Sequence, residues 1–236
     1  MPWGPSLGLR VRQWKVDFGT CRNIIMASRD SAPGPDGIPY SAWKIAPLHV
    51  LEALHLCYSS WIDYGALPHG FGHSYLWLLP KGDDPNDNDG IMLRSPEQTR
   101  PLSGANTDSR LFATCLRHSI EDAVCEWAHP FQKGFLRGRN ILENVLDIEK
   151  SALLASCAPN NTSATILLDF RAAFPSLSRT FIRSALRHAN FPLCIVRAIH
   201  QLYKDNLHYL KFGGRIQEAF ITHTLAFDKA ARSAQL

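Results

Sequence analysis

Apolar residues along the chain alternate between a period of three to four and short unbroken runs, which predicts helices interspersed with a few strands. Trp43, Leu48, Leu51, Leu54 and Tyr58 recur at near-helical spacing, and Pro47 places the main helix start nearby. Tyr75 to Leu79 is a short apolar run ended by Pro80, read as a strand leading into an acidic loop from Asp83 to Asp89. Leu111, Cys115, Ile120 and Val124 mark one face of a helix from Asp108 to Trp127, with Asp108 as its cap. Gly134 to Gly138 interrupts that pattern. A second helix then carries Ile141, Val145, Ile148 and Ala152 on one face.

The run from Ala164 to Phe170 is largely apolar and carries one acid, Asp169, the pattern of a buried strand with a functional end. Ser178 suits the N-cap of a helix through Arg187 whose inner face is Phe181, Ile182, Ala185 and Leu186. The next helix, from Pro192 to about Asn206, turns Ile195, Ile199 and Leu202 inward. Leu207 to Phe212 and Arg215 to Thr222 flank Gly213-Gly214, a hairpin signal. Upstream, Ser31 to Pro39 alternates prolines and glycines and reads as a rigid, turn-rich segment. Strands and helices in this order give an α+β fold.

Composition narrows the class. With 236 residues, 45% hydrophobic and 10% aromatic, the chain is long enough for a real core and unlike a disordered segment. No apolar run is long enough for a membrane span, and the start has no run suited to a secretory signal. Six cysteines without a C-x-x-C pair are expected to be reduced, buried thiols, and His69 and His73 have no zinc-type partners nearby. The net charge of +4 permits a polyanionic partner. Its distribution is more informative, because basic residues gather in Lys133 to Arg139 and at Arg179, Arg183 and Arg187.

Asp169 ends a hydrophobic strand, where a charge needs compensation. It can bind a hard cation such as Mg²⁺ or cap the following turn. Lys81 and Arg100 bracket the acidic loop and can grip a triphosphate or stand as surface charges. Lys133, Arg137 and Arg139 are interleaved with glycines that let a backbone approach phosphate; a solvated basic turn has the same composition.

The order of these elements resembles the early blocks of non-LTR (LINE-type) retrotransposon reverse transcriptases. Ser31-Ala-Pro-Gly-Pro-Asp-Gly-Ile-Pro39 is similar to the family's Pro-Gly-Pro-Asp-Gly block. Leu78 to Lys81 and Arg100 to Ser103 resemble two fingers strands, Gly134-Phe-x-x-Gly-Arg139 the block that follows, and Leu168-Asp169-Phe-x-x-Ala-Phe174 the first palm motif. The resemblance runs from about Ser31 to about Thr224.

It implies an α+β right-hand polymerase fragment: an extension at 1–30, fingers at 31–160, a partial and incomplete palm at 161–224 and an off-pattern tail at 225–236. It implies Asp169 as a catalytic, metal-binding carboxylate, with the Phe170 carbonyl as a further oxygen ligand. By the same resemblance Phe174 would sit under the nucleotide sugar, and Lys81 and Arg100 would hold the incoming triphosphate. The implied cofactor is Mg²⁺, and the implied partners are an RNA template, a DNA primer and dNTP, with no membrane. The family's later Gly-x-x-Gln-Gly block and paired aspartates do not follow Thr224 in this sequence. The expectation is therefore a partial reverse transcriptase domain, inactive by itself unless a second polypeptide supplies the rest. A non-catalytic nucleic-acid-binding remnant and an inert decayed reading frame are the alternatives, and no cellular address is legible.

Overall fold

The computed structural model describes residues 14–83, 94–158, 163–169, 177–204, 206–212 and 215–222. Within them, seven helices and a four-stranded mixed sheet form an α+β fold. The helices are α1 (Phe18–Ala27), α2 (Tyr40–Ile45), α3 (Leu48–Tyr64), α4 (Thr107–Trp127), α5 (Ile141–Ser156), α6 (Arg179–His188) and α7 (Leu193–Leu202). The strands are β1 (Ser74–Pro80), β2 (Thr99–Ala105), β3 (Leu207–Phe212) and β4 (Arg215–Thr222), in the order β2-β1-β3-β4. The acidic loop beyond Asp83, the Gly213-Gly214 turn and the tail from 223 lie outside the described residues.

Aromatic packing at the meeting of α3 and α4 anchors the core. Trp61 stacks on Phe112 at 5.8 Å between ring centroids, and Tyr58 and Phe71 meet Phe112 at 5.6 and 5.0 Å. Cys21 and Ile25, spaced i, i+4 on α1, and Ile195 on α7 belong to the same buried cluster. The Asp17 carboxylate starts α1 by accepting the Thr20 N–H at 2.7 Å. That bond holds the Asp17 carboxyl below its ordinary range. The 14–27 stretch is thus part of the core.

The described strands pair as two antiparallel couples, of which β3 with β4 matches the hairpin signal in the sequence. β1 and β2 run antiparallel with Leu79 opposite Arg100, and β3 pairs β4 antiparallel with a bulge between Tyr209 and Lys211. The two hairpins join through β1 and β3 in parallel, Tyr75 opposite Tyr209. Ser74 and His208 seal the buried face of this seam, Ser74 Oγ lying 2.5 Å from His208 Nδ1.

Four expectations need correction. Asn106 rather than Asp108 precedes α4 as its N-cap, because the first helical residue is Thr107; Asp108 sits in the first turn and accepts the Ser109 N–H at 2.6 Å. The thiols are free, but only Cys21 and Cys115 are buried, whereas Cys57 and Cys157 are exposed. The helix at α5 forms as predicted, yet it buries no residue and its apolar side chains are 45% to 66% exposed. Most directly, the expected buried strand at Ala164 to Phe170 is irregular over its described part, 163–169, and exposed: Leu168 is 87% accessible. A strand needs a ladder partner and a covered face, and the described part of this run has neither: it pairs with none of the four strands of the sheet and lies exposed.

Candidate nucleotide and nucleic-acid site

The Pro/Gly-rich segment docks on the start of α4. A Cβ on Gly34 would come within 2.6 Å of Asn106 Cα, so only glycine permits this approach. The Asp36 N–H donates to Asn106 Oδ1 (3.2 Å), while Thr107 Oγ1 donates to the Ile38 carbonyl and receives the Trp43 indole N–H, both at 2.8 Å. Arg110 ties the far side, donating to Ser31 Oγ and to the Ala32 carbonyl and lying 5.0 Å over the Tyr40 ring. Burial, the bond from Ser109 and the nearby Asp36 charge act on Asp108, and burial dominates, so its carboxyl is pushed above the ordinary range. The rigid segment is thereby fixed directly after β2, the strand carrying Arg100.

Lys81 leaves the end of β1, its N–H bonded to the Gln98 carbonyl at 2.8 Å, so the hairpin ladder continues one step past Pro80. Its ammonium donates to the Glu97 carbonyl at 2.9 Å. Arg100 is exposed on the facing strand. Both cations therefore stand on the same hairpin, one on each arm, and both face solvent.

Arg139 has a structural partner set that sequence reasoning missed. Its guanidinium donates to the carbonyls of Cys125 (2.7 Å), Ala128 (3.2 Å), His129 (2.7 Å) and Gln132 (2.8 Å). It closes the C-terminal end of α4, where carbonyls lack helical partners and the helix dipole favours a cation. The signal was a basic residue placed after the helix end. Lys133 pairs with Glu143, holding that carboxyl below its ordinary range, and Arg137 pairs with Asp122. Between them Phe135 takes a left-handed backbone, φ 62°, and is 96% exposed.

Arg179 likewise bonds the Tyr203 carbonyl at 2.6 Å and lies over the Tyr203 ring, whereas Arg183 and Arg187 are exposed. His73 Nδ1 lies 3.1 Å from the Tyr209 hydroxyl, and burial, then the neighbouring His69, lower its pKa.

Asp169 is exposed in the irregular 163–169 stretch, and Phe170 and Phe174 lie outside the described residues. Among the described residues no group of three or more His, Cys, Asp or Glu could hold a metal ion. Asp169 by itself does not make a site for Mg²⁺, which requires several oxygen ligands around it. No described helix is long and apolar enough to cross a membrane.

No protein-family model matches the chain. It is 24% identical over 203 residues to the "Transposon TX1 uncharacterized 149 kDa protein" of Xenopus laevis, an alignment covering 86% of this chain. It is 26% identical over 196 residues, 81% of the chain, to the "Retrovirus-related Pol polyprotein from type-1 retrotransposable element R2" of Nasonia vitripennis. The chain is therefore related to proteins of mobile elements. It spans 14% and 18% of the length of these two relatives.

Proposed function

We propose that the chain forms the fingers and the first part of the palm of a reverse transcriptase of the non-LTR retrotransposon type, an RNA-directed DNA polymerase. The observation that carries the reading is the β1–β2 hairpin, which sets Lys81 and Arg100 on opposite arms at the Pro80–Thr99 end of its ladder. That is the arrangement the sequence resemblance expects of a triphosphate grip. Arg100 supplies a planar fork for phosphate oxygens, and Lys81 a compact charge that must leave the Glu97 carbonyl to bind. Lys133 and Arg137 lie at the rim of their loop and contact the backbone of an RNA template or of the RNA–DNA duplex; Arg139 holds that loop in place.

Asp169 contributes one carboxylate toward Mg²⁺, which in such polymerases stabilises the attacking and leaving oxygens of nucleotide transfer. The remaining ligands come from outside the described residues. Because one exposed carboxylate does not hold the ion, a second reading has a specific basis: the chain binds nucleic acid and nucleotide without catalysing.

Titration of the 236-residue chain with a fluorescent dNTP tests the grip. Binding weakened by Lys81→Ala and by Arg100→Ala is expected; affinity indifferent to both changes sinks the nucleotide assignment. Primer extension on RNA with Mg²⁺ separates the two readings. The chain alone is expected to extend nothing, and extension abolished by Asp169→Ala would show that it completes its own metal site.

A further inference from the structure

Helix α1 lies at the surface of the fold: it fully buries only Cys21 and Ile25, with Phe18 and Ile24 half-buried beside them. Cys21 there meets Cys115 of α4, Sγ to Sγ at 3.8 Å, and both thiols are free. We propose that this pair is an oxidation site, at which a peroxide converts the two thiols to a disulfide that staples α1 to α4. The proposal stands apart from the polymerase reading, and neither rests on the other.

Proximity is the first ground. The sulfurs of a disulfide stand about 2.05 Å apart, so these two must close by roughly 1.8 Å, a movement on the scale of side-chain rotation rather than helix displacement.

The second ground is the asymmetry of the pair. The Cys115 thiol donates to the Cys21 sulfur, which lowers the Cys21 thiol below its ordinary range against the opposing push of burial, and raises that of Cys115. Cys21 is therefore the attacking sulfur, because the thiolate is the nucleophile. It attacks one peroxide oxygen and breaks the O–O bond, giving a sulfenic acid and a hydroxide that takes up the proton Cys21 released. The Cys115 sulfur then attacks the Cys21 sulfur. The S–S bond forms, and the sulfenic hydroxyl leaves as water with the Cys115 proton. Two thiols are oxidised while hydrogen peroxide is reduced to two waters.

The third ground is access. Cys21 is 3% and Cys115 1% exposed, so the folded interior shields both. A surface helix with so few buried residues opens locally at less cost than the core beneath it, and that opening uncovers Cys21. The oxidised bond would then prevent it. Because the two cysteines lie 94 positions apart, the closed ring also contains the Ser31–Pro39 segment and the β1–β2 hairpin. Closing so long a loop removes much of the freedom of the unfolded chain.

Treatment of the full 236-residue chain with dilute hydrogen peroxide, followed by alkylation and trypsin, tests the proposal. Trypsin cuts after Lys15, Arg22, Arg110 and Arg117, so the site is read as a link between the peptides Val16–Arg22 and Leu111–Arg117. The linked pair is expected after peroxide and absent after dithiothreitol. The thermal midpoint should stand higher in the oxidised chain by roughly 4–16 °C, the usual range for one disulfide in a domain of this size. Cys21→Ala and Cys115→Ala should each lose that rise. Should neither variant fold, amide exchange across α1 that slows in oxidised wild type and recovers with dithiothreitol carries the same test.

The two peptides recovered unlinked, while the exposed Cys57 or Cys157 is oxidised, would overturn the proposal and leave the pair as packing alone. A link that leaves the midpoint unchanged or lowers it would overturn it as well, since such a bond strains the helices instead of fastening them.

Discussion

The Arg139 guanidinium lies 2.7 Å from the Cys125 carbonyl, reaching back across the loop to close the helix that precedes it. The same group holds three further carbonyls, so its removal strands several acceptors at once. Arg139→Ala is expected to cost about 2–4 kcal/mol, because hydrogen bonds to a charged donor are among the stronger ones. Arg139→Lys keeps the charge but loses the fork and should recover only part of that. Lys133→Ala and Arg137→Ala break exposed ion pairs and should each cost under about 1 kcal/mol. Urea unfolding of the four variants checks the ranking; equal losses across them would contradict it.

Gly34 and Asn106 meet backbone to backbone, which leaves no volume for a methyl group. Gly34→Ala should therefore lift the Ser31–Pro39 segment off α4 and destabilise the fold by about 1–3 kcal/mol, the usual cost of overpacking. A thermal midpoint unchanged from wild type would show that the segment relocates freely.

Burial, reinforced by Asp36, raises the pKa of Asp108 in the folded chain above its unfolded value. The folded state then binds the proton more tightly, so this group's contribution declines as pH rises from the unfolded pKa, about 3.9, through the folded one. Asp108→Asn should be more stable than wild type at pH 7, and the difference should shrink toward pH 4. Denaturant midpoints across that range measure it, and a constant offset would place the cause elsewhere.

The 163–169 stretch has no ladder and little burial, whereas α4 buries Leu111, Phe112, Cys115 and Leu116 in the core. Amide hydrogens of 163–169 should exchange at close to unprotected rates, and those around Phe112 only on global opening. Comparable protection in the two regions, measured by mass spectrometry, would mean that the apolar run finds cover in solution.

What was legible in the sequence was local. Pro80 and the short apolar run before it marked β1, and the spacing of Leu111, Cys115 and Val124 marked α4, because each pattern is set by residues close in the chain. The parallel seam between Tyr75 and Tyr209 was invisible, since nothing in either segment names a partner so distant in the chain. The Ala164 to Phe170 run was misread for the same reason: apolar continuity signals a wish for burial and says nothing about who supplies it. Lys81 and Arg100 were found as charges flanking a loop, whereas the four-carbonyl clasp of Arg139 required knowing where α4 ends.

The parallel seam also constrains how the molecule is made. Ser74 opposes His208, so the central strand gains its second neighbour only after about a hundred further residues have left the ribosome beyond β2. At usual elongation rates that is a wait of roughly 5–20 s. Throughout it the β1–β2 hairpin presents an open strand edge, with Tyr75, Leu76 and Trp77 at its centre, to any other nascent chain nearby. The yield of native protein should accordingly depend on crowding during synthesis and on the time β3 takes to arrive, more than on the stability of the finished fold.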